Sequence, residues 1–89
     1  MFLPDEVLSS TQARLHRIIG QLQGIDRMIL DQRECRDIVR QISAANKALE
    51  QAAFQLVAAG LTYCVENPAE AEAGGYSVQS VQKMFMQLS

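Results

Sequence analysis

DQRECRDIVRQISAANKALEQAAFQLVAAGLTYCVE, residues 31–66, is the stretch around which the rest of the chain must be arranged. It holds no proline, and its first glycine is Gly60. Ala, Leu, Gln and Arg dominate it, all strong helix formers. The spacing predicts one helix from Asp31 to Glu66. Asp31 and Glu34 supply the cap-and-third-residue pattern of a helix start, and Pro68 disfavours helix at Asn67. At roughly 100° per residue, Cys35, Ile38, Ile42, Leu49, Ala53, Leu56, Gly60 and Cys64 share one apolar stripe. Arg33, Arg36, Arg40 and Lys47 share a second stripe, nearly opposite.

Two thiols 29 positions apart on one unbroken helix are separated by roughly 43 Å, at about 1.5 Å per residue. A disulfide requires Cα atoms within about 7 Å, and two thiolates on one metal ion need similar proximity. If Cys35 and Cys64 work as a pair, the second thiol comes from another subunit. An antiparallel, two-fold related helix supplies it: Cys35 then faces Cys64, Ile38 faces Leu61 and Ile42 faces Val57. Leu49 and Glu50 fall at the crossing.

Outward from this segment the chain remains helical. Leu8, Leu15, Ile18, Ile19, Leu22, Ile25 and Ile29 follow the helical period and predict a first helix. Its start is capped by Asp5 after Pro4, or by Ser9 or Ser10. Gly20 and Gly24 lie off its apolar stripe, tolerated there or marking the close approach of a backbone or a nucleic-acid phosphate. Asp31 and Gln32 leave a tight joint, so the first two helices should pack antiparallel. Residues 67–76 read as a loop, after which Ser77 caps a short third helix bearing Val78, Val81, Met84, Phe85 and Leu88. Strand signals are absent. The expectation is an all-α chain of three helices, forming a single domain over residues 1–89.

Eighty-nine residues bury a limited core alone, so a long amphipathic helix calls for a partner. No run of about 18 apolar residues suggests a membrane span, and the N-terminus lacks signal-peptide character. Two cysteines without a secretion signal point to the cytoplasm, where permanent disulfides are rare. His16 is the only histidine, and no Ser/His/Asp, HExxH or phosphate-loop pattern occurs. The chemistry therefore rests on the thiols. Net charge is −2, yet Arg14, Arg17, Arg33, Arg36, Arg40 and Lys47 make up six of the eight basic side chains. A two-fold dimer would double that stripe along an extended surface suited to the phosphates of duplex DNA.

The run Arg14-Leu15-x-Arg17-Ile18-x-Gly20-Gln21-x-x-Gly24-Ile25-x-Arg27-Met28, with Cys35 and Gln41-Ile42-x-Ala44 after it, resembles the CsoR/RcnR-type transcriptional repressors. The resemblance covers roughly residues 10–66. It implies an all-helical, ligand-responsive DNA-binding protein that assembles as a dimer of dimers. It also implies that operator DNA is released when an inducer occupies an intersubunit thiol site, and that no enzyme activity is involved.

Within that family the inducer follows the ligand positions. Copper(I) sensors carry a histidine where this chain has Gly60. Nickel and cobalt sensors carry further histidines absent here, and formaldehyde sensors lack a second cysteine at the position of Cys64. Two cysteines without the histidine are similar to the CstR-type persulfide and polysulfide sensors. The resemblance thus implies Cys35 and Cys64 as regulatory thiols, reactive sulfur as inducer, and no bound cofactor or metal. At the N-terminal end of the long helix, backbone dipoles and Arg36 favour anionic sulfur at Cys35, so Cys35 is expected to attack and the partner's thiol to resolve. A bis-thiolate copper(I) site on the same two cysteines is the alternative. A thiol oxidoreductase is weaker, for want of a CxxC motif, and in a purely structural oligomer the cysteines would be incidental.

Overall fold

Four helices succeed one another in the computed structural model, which describes residues 1–88: α1 (Asp5–Leu30), α2 (Cys35–Glu66), α3 (Pro68–Ala73) and α4 (Val78–Met86). No strand occurs among the described residues. The all-α expectation is met, with one helix more than the sequence suggested.

α1 starts at Asp5 without a side-chain cap. The Pro4 carbonyl instead accepts from the backbone N–H groups of Val7 and Leu8, at 3.0 and 3.1 Å. Its other end corrects the expected joint. Gln32 takes a left-handed φ of 53°, the Arg33 N–H donates to the Met28 carbonyl at 3.0 Å, and the Gln32 N–H donates to Ile29 at 3.1 Å. This pair of bonds is a Schellman turn. It makes Asp31 the end of α1 rather than the cap of α2, so the long helix begins four residues later than predicted. Glu34 caps it, its Oε2 accepting from the N–H groups of Arg36 at 2.8 Å and Asp37 at 3.3 Å. Arg33 therefore lies in the joint and not on the helix.

Pro68 ends α2 as expected, with Asn67 at φ −134°. It then opens α3 from the first helical position, where a missing N–H costs nothing. The stretch predicted as loop thus contains a helix: Pro68-Ala-Glu-Ala-Glu-Ala73 is rich in strong helix formers, and Ala71 packs in one core with Cys64 and Val81. A second Schellman turn closes it. Tyr76 donates to Ala71 at 2.8 Å and Gly75 to Glu72 at 2.9 Å, with Gly75 at φ 85°. Ser77 caps α4 as predicted, exchanging hydrogen bonds with Ser80 of 3.1 and 2.9 Å.

α1 and α2 pack as the expected antiparallel pair. Thr11, Ile18 and Ile25 are buried on α1, and Ala45 and Ala52 on α2, each set spaced by seven. Burying each isoleucine stabilises the pair by roughly 2 kcal/mol. The Thr11 hydroxyl satisfies itself on the Val7 carbonyl at 2.8 Å. Across the pair, Gln55 Nε2 donates to Ser10 Oγ at 3.0 Å. At the other end of α2, Cys64, Ala71 and Val81 form a small core where α3 and α4 fold back, flanked by Met1, Val57, Leu61, Tyr63 and Tyr76.

The broad apolar stripe predicted for α1 is thereby divided. Leu8, Leu15, Leu22 and Ile29, a second set spaced by seven, stay between 38% and 56% exposed. Ile42 and Leu49 on α2 are 49% and 48% exposed. The molecule measures 54 × 24 × 14 Å with a radius of gyration of 16.9 Å, against about 12 Å for a compact chain of this length. Its accessible surface is 6792 Å², where about 5,200 Å² suits a compact monomer of this mass. The difference is comparable with what one subunit loses on forming an obligate dimer.

Candidate functional site

Cys35 is the first residue of α2, and Cys64 lies in its last turn. The helix between them is uninterrupted, so the two thiols stand at opposite ends of one rod and do not meet within the chain. Both are free. Among the described residues no group of three or more His, Cys, Asp or Glu side chains comes together in a way that could hold a metal ion. A site using both thiols has to be completed by a second copy.

Their surroundings differ in a way that helical periodicity does not show. Cys35 is exposed, while Cys64 is buried, with 4% of its surface accessible. α3 and α4 cover Cys64 because Val81 and Ala71 pack on it. Gly60, one turn before Cys64, is also enclosed. A Cβ there would stand 3.3 Å from Met1 Cε and 3.4 Å from Val81 Cγ1. An imidazole at this position would have to displace both side chains. The stripe expected to face a partner along its whole length is therefore shared. Within it Gly60 and Cys64 serve α4, Ile38 is half-buried, and Cys35, Ile42 and Leu49 remain open, while Ala45 and Ala52, just beside the stripe, are the residues buried against α1.

Tyr63 ties α2 to α3 beside the buried thiol, its hydroxyl donating to Glu70 Oε2 at 3.3 Å. Its phenol is held above the ordinary range, first by partial desolvation and then by the Glu70 carboxylate, which repels a phenolate and accepts the hydrogen bond. The pairing of Tyr63 with Glu70 forms across the turn at Asn67, which sets α3 beside the end of α2, and nothing local in the sequence marks it. Met1 escapes sequence reasoning in the same way, since nothing local marks a lead-in residue as a neighbour of Gly60.

The basic residues form one surface with an outlier. Arg14 and Arg17 of α1 line a shallow groove with Gln21, Ala48 and Gln51. Arg14 and Lys47 together border a larger cleft between α1, α2 and α4. Arg36 and Arg40 are exposed, and lie within about 40° of Lys47 around the α2 axis, so they continue that surface towards the Cys35 end. Arg33 sits in the joint. His16 is exposed on α1. Nothing in the chain lies within 4 Å of a Cβ at Gly20 or Gly24, so no backbone of the same chain makes the close approach considered for them. Phe54 and Phe85 meet edge to face with centroids 5.5 Å apart.

No described helix is long and apolar enough to cross a membrane. The family model for a metal-sensitive transcriptional repressor matches residues 9–87. Over 61 residues the chain is 44% identical to the copper-sensing transcriptional repressor RicR of Mycobacterium tuberculosis (strain ATCC 25618 / H37Rv), covering 68% of this chain and 62% of that protein. Over 72 residues it is 33% identical to the copper-sensing transcriptional repressor CsoR of Bacillus subtilis (strain 168), covering 81% of this chain and 71% of that protein. No solved structure matches it. The family match spans α1 to α4 and takes in both thiols and the basic surface, and the chain belongs to the metal-sensitive transcriptional repressors, a family of regulators and not of enzymes.

Proposed function

We propose that the protein is a DNA-binding repressor that works as an antiparallel homodimer, assembling further into a dimer of dimers. Its inducer bridges Cys35 of one subunit and Cys64 of the other. One observation carries this reading: an uninterrupted α2 with a free thiol at each end and an open apolar strip of Ile42 and Leu49 between them. Only an antiparallel partner both covers that strip and brings the thiols together.

The inducer favoured is copper(I). Both similar repressors are copper-sensing by name. The donors at the Cys64 end are soft sulfur, with the Met1 thioether packed against the same cluster as Cys64, and soft sulfur selects copper(I). Cys35 of one subunit and Cys64 of the other would hold the ion, which would supply a link between their sulfurs and so tether opposite ends of two α2 helices. Arg36, Arg40 and Lys47 ride on the same helices, so a change in their crossing moves the cations that contact phosphate. Taking a repressor from 99% bound to 99% free requires about 5.5 kcal/mol of preference between two states.

A second reading is favoured by Gly60, which supplies no imidazole and whose Cβ position is crowded by Met1 and Val81. Reactive sulfur then acts on the bare thiol pair. The exposed Cys35 thiolate attacks a polysulfide and expels a shorter polysulfide. Cys64 of the partner attacks the resulting persulfide at the Cys35 sulfur, releases hydrosulfide and leaves an intersubunit disulfide.

Intact-mass measurement of the reduced protein, treated separately with copper(I), polysulfide and peroxide, tests both. Retention of one copper per thiol pair, abolished in Cys35→Ser and in Cys64→Ser, is the expected result. Covalent dimers or added sulfur after polysulfide, with no copper retained, would establish the second reading instead. For DNA, Arg40→Ala and Lys47→Ala should each weaken operator binding and reduce its salt slope by about one for each phosphate left without its cation. Arg14→Ala and Arg17→Ala should do the same, and an unchanged slope in all four would remove this surface from the interface.

A further inference from the structure

The cleft between α1, α2 and α4 has a volume of about 860 Å³, within the range of small-molecule sites. The thiols take no part in it. Phe54 and Phe85 form its apolar wall, edge to face at 70°, and remain 53% and 43% exposed. Leu88 extends that wall, and Arg14, Lys47 and Glu50 stand at the border. Neither the Arg14 guanidinium nor the Lys47 ammonium makes a hydrogen bond or ion pair with another described residue. Gln55 supplies a further mark. Its Nε2 is used on Ser10, but its Oε1 is buried without a partner. A buried acceptor lacking a donor is unfavourable and rare in a folded protein.

We propose that this cleft binds an amphipathic monoanion, and that binding there is a second, thiol-independent way to weaken the hold on DNA. The carboxylate sits between Arg14 and Lys47. An acyl or aryl body covers Phe54, Phe85 and Leu88, and an amide or hydroxyl group donates to Gln55 Oε1. With two cations and the one carboxylate of Glu50, the border carries a single net positive charge, which suits one anionic group and selects against cationic amphiphiles. Arg14 and Lys47 also belong to the surface assigned to DNA phosphates. A bound anion neutralises both, so this part of the inference rests on the proposed DNA-binding role, whereas the site itself does not.

Calorimetric titration of the full chain, reduced and copper-free, separates the two parts. N-decanoylglycine is the probe, with decanol and decyltrimethylammonium as neutral and cationic controls, all below their micelle concentrations. N-decanoylglycine should bind at least tenfold more tightly than either control. Arg14→Gln and Lys47→Gln should each weaken it about tenfold, and Phe54→Ser should abolish it with helicity unchanged. Gln55→Leu should lower affinity for N-decanoylglycine more than for decanoate, which has no donor. Equal affinity for all three amphiphiles, or no binding, would overturn the site. If the probe binds as described but leaves operator affinity unchanged, the site stands and its coupling to DNA is overturned.

Discussion

The two ends of α2 carry the same residue on the same helical stripe in opposite environments. At the Cys35 end the chain arrives through a Schellman turn, Glu34 caps the helix, and the thiol is exposed. At the Cys64 end the chain turns at Asn67, and α3 and α4 seal the thiol with Ala71 and Val81. The difference shows that a cysteine's place on a helix says where it points, while its accessibility is set by whatever folds back over it. In the proposed function it would also divide the labour: Cys35 would be the thiol an incoming soft ligand meets first, and Cys64 the one whose engagement reaches into the core.

The proposed antiparallel assembly would bring these two ends together, and the largest expected effect comes from removing it. Leu49 is exposed midway between the thiols. Leu49→Asp should dissociate the proposed dimer, because two carboxylates buried opposite each other cost on the order of several kcal/mol. Sedimentation should then give the monomer mass, and the thiols should no longer act together. A dimer that survives with its thiol pairing intact would mean that the subunits meet elsewhere.

Opening the sealed end comes next. Val81 is 1% exposed and lies against Cys64. Val81→Ala should cost roughly 2 kcal/mol for the methyl groups removed and the cavity left. Alkylation of Cys64 by iodoacetamide should accelerate severalfold while that of Cys35 stays constant. Equal acceleration of both thiols would show that α3 and α4 do not shelter Cys64 selectively.

The two Schellman turns allow a finer contrast, since one places Gln32 and the other Gly75 in the left-handed region. Gln32→Gly should raise stability by up to about 1 kcal/mol, and Gly75→Ala should lower it by about 1 kcal/mol. Denaturant unfolding of both variants measures the pair. The smallest effect concerns Tyr63, whose phenol is held above the ordinary value of about 10. The folded chain keeps this proton after the unfolded chain has released it. Stability is therefore fully present below the ordinary value and declines as pH rises through the raised one. Tyr63→Phe should make that alkaline decline shallower, and an identical slope would disconnect the Tyr63–Glu70 clasp from the sealed end.

Much of the fold is legible in the residues alone. Helix propensity, the absence of proline between Asp31 and Glu66, and the Ser77 cap locate the long helix and the last one to within a few residues. The number of residues between Cys35 and Cys64, multiplied by a fixed rise, already places the thiols too far apart to meet in one chain. These inferences succeed because they depend on backbone geometry, which is local. The start of α2 is different, because Asp31 suits either side of a joint, and only the hydrogen bonds of the turn at Gln32 decide which helix owns it. α3 escapes local reasoning because six residues make a helix worthwhile only when Ala71 has Cys64 and Val81 to pack against. The same holds for the division of the apolar stripes. Ile18 and Leu15 are equally apolar and one helical turn apart, yet α1 buries the first and leaves the second exposed. Periodicity ranks which faces are apolar, but which face is covered depends on the element that returns to it, and that is decided by the tertiary structure alone.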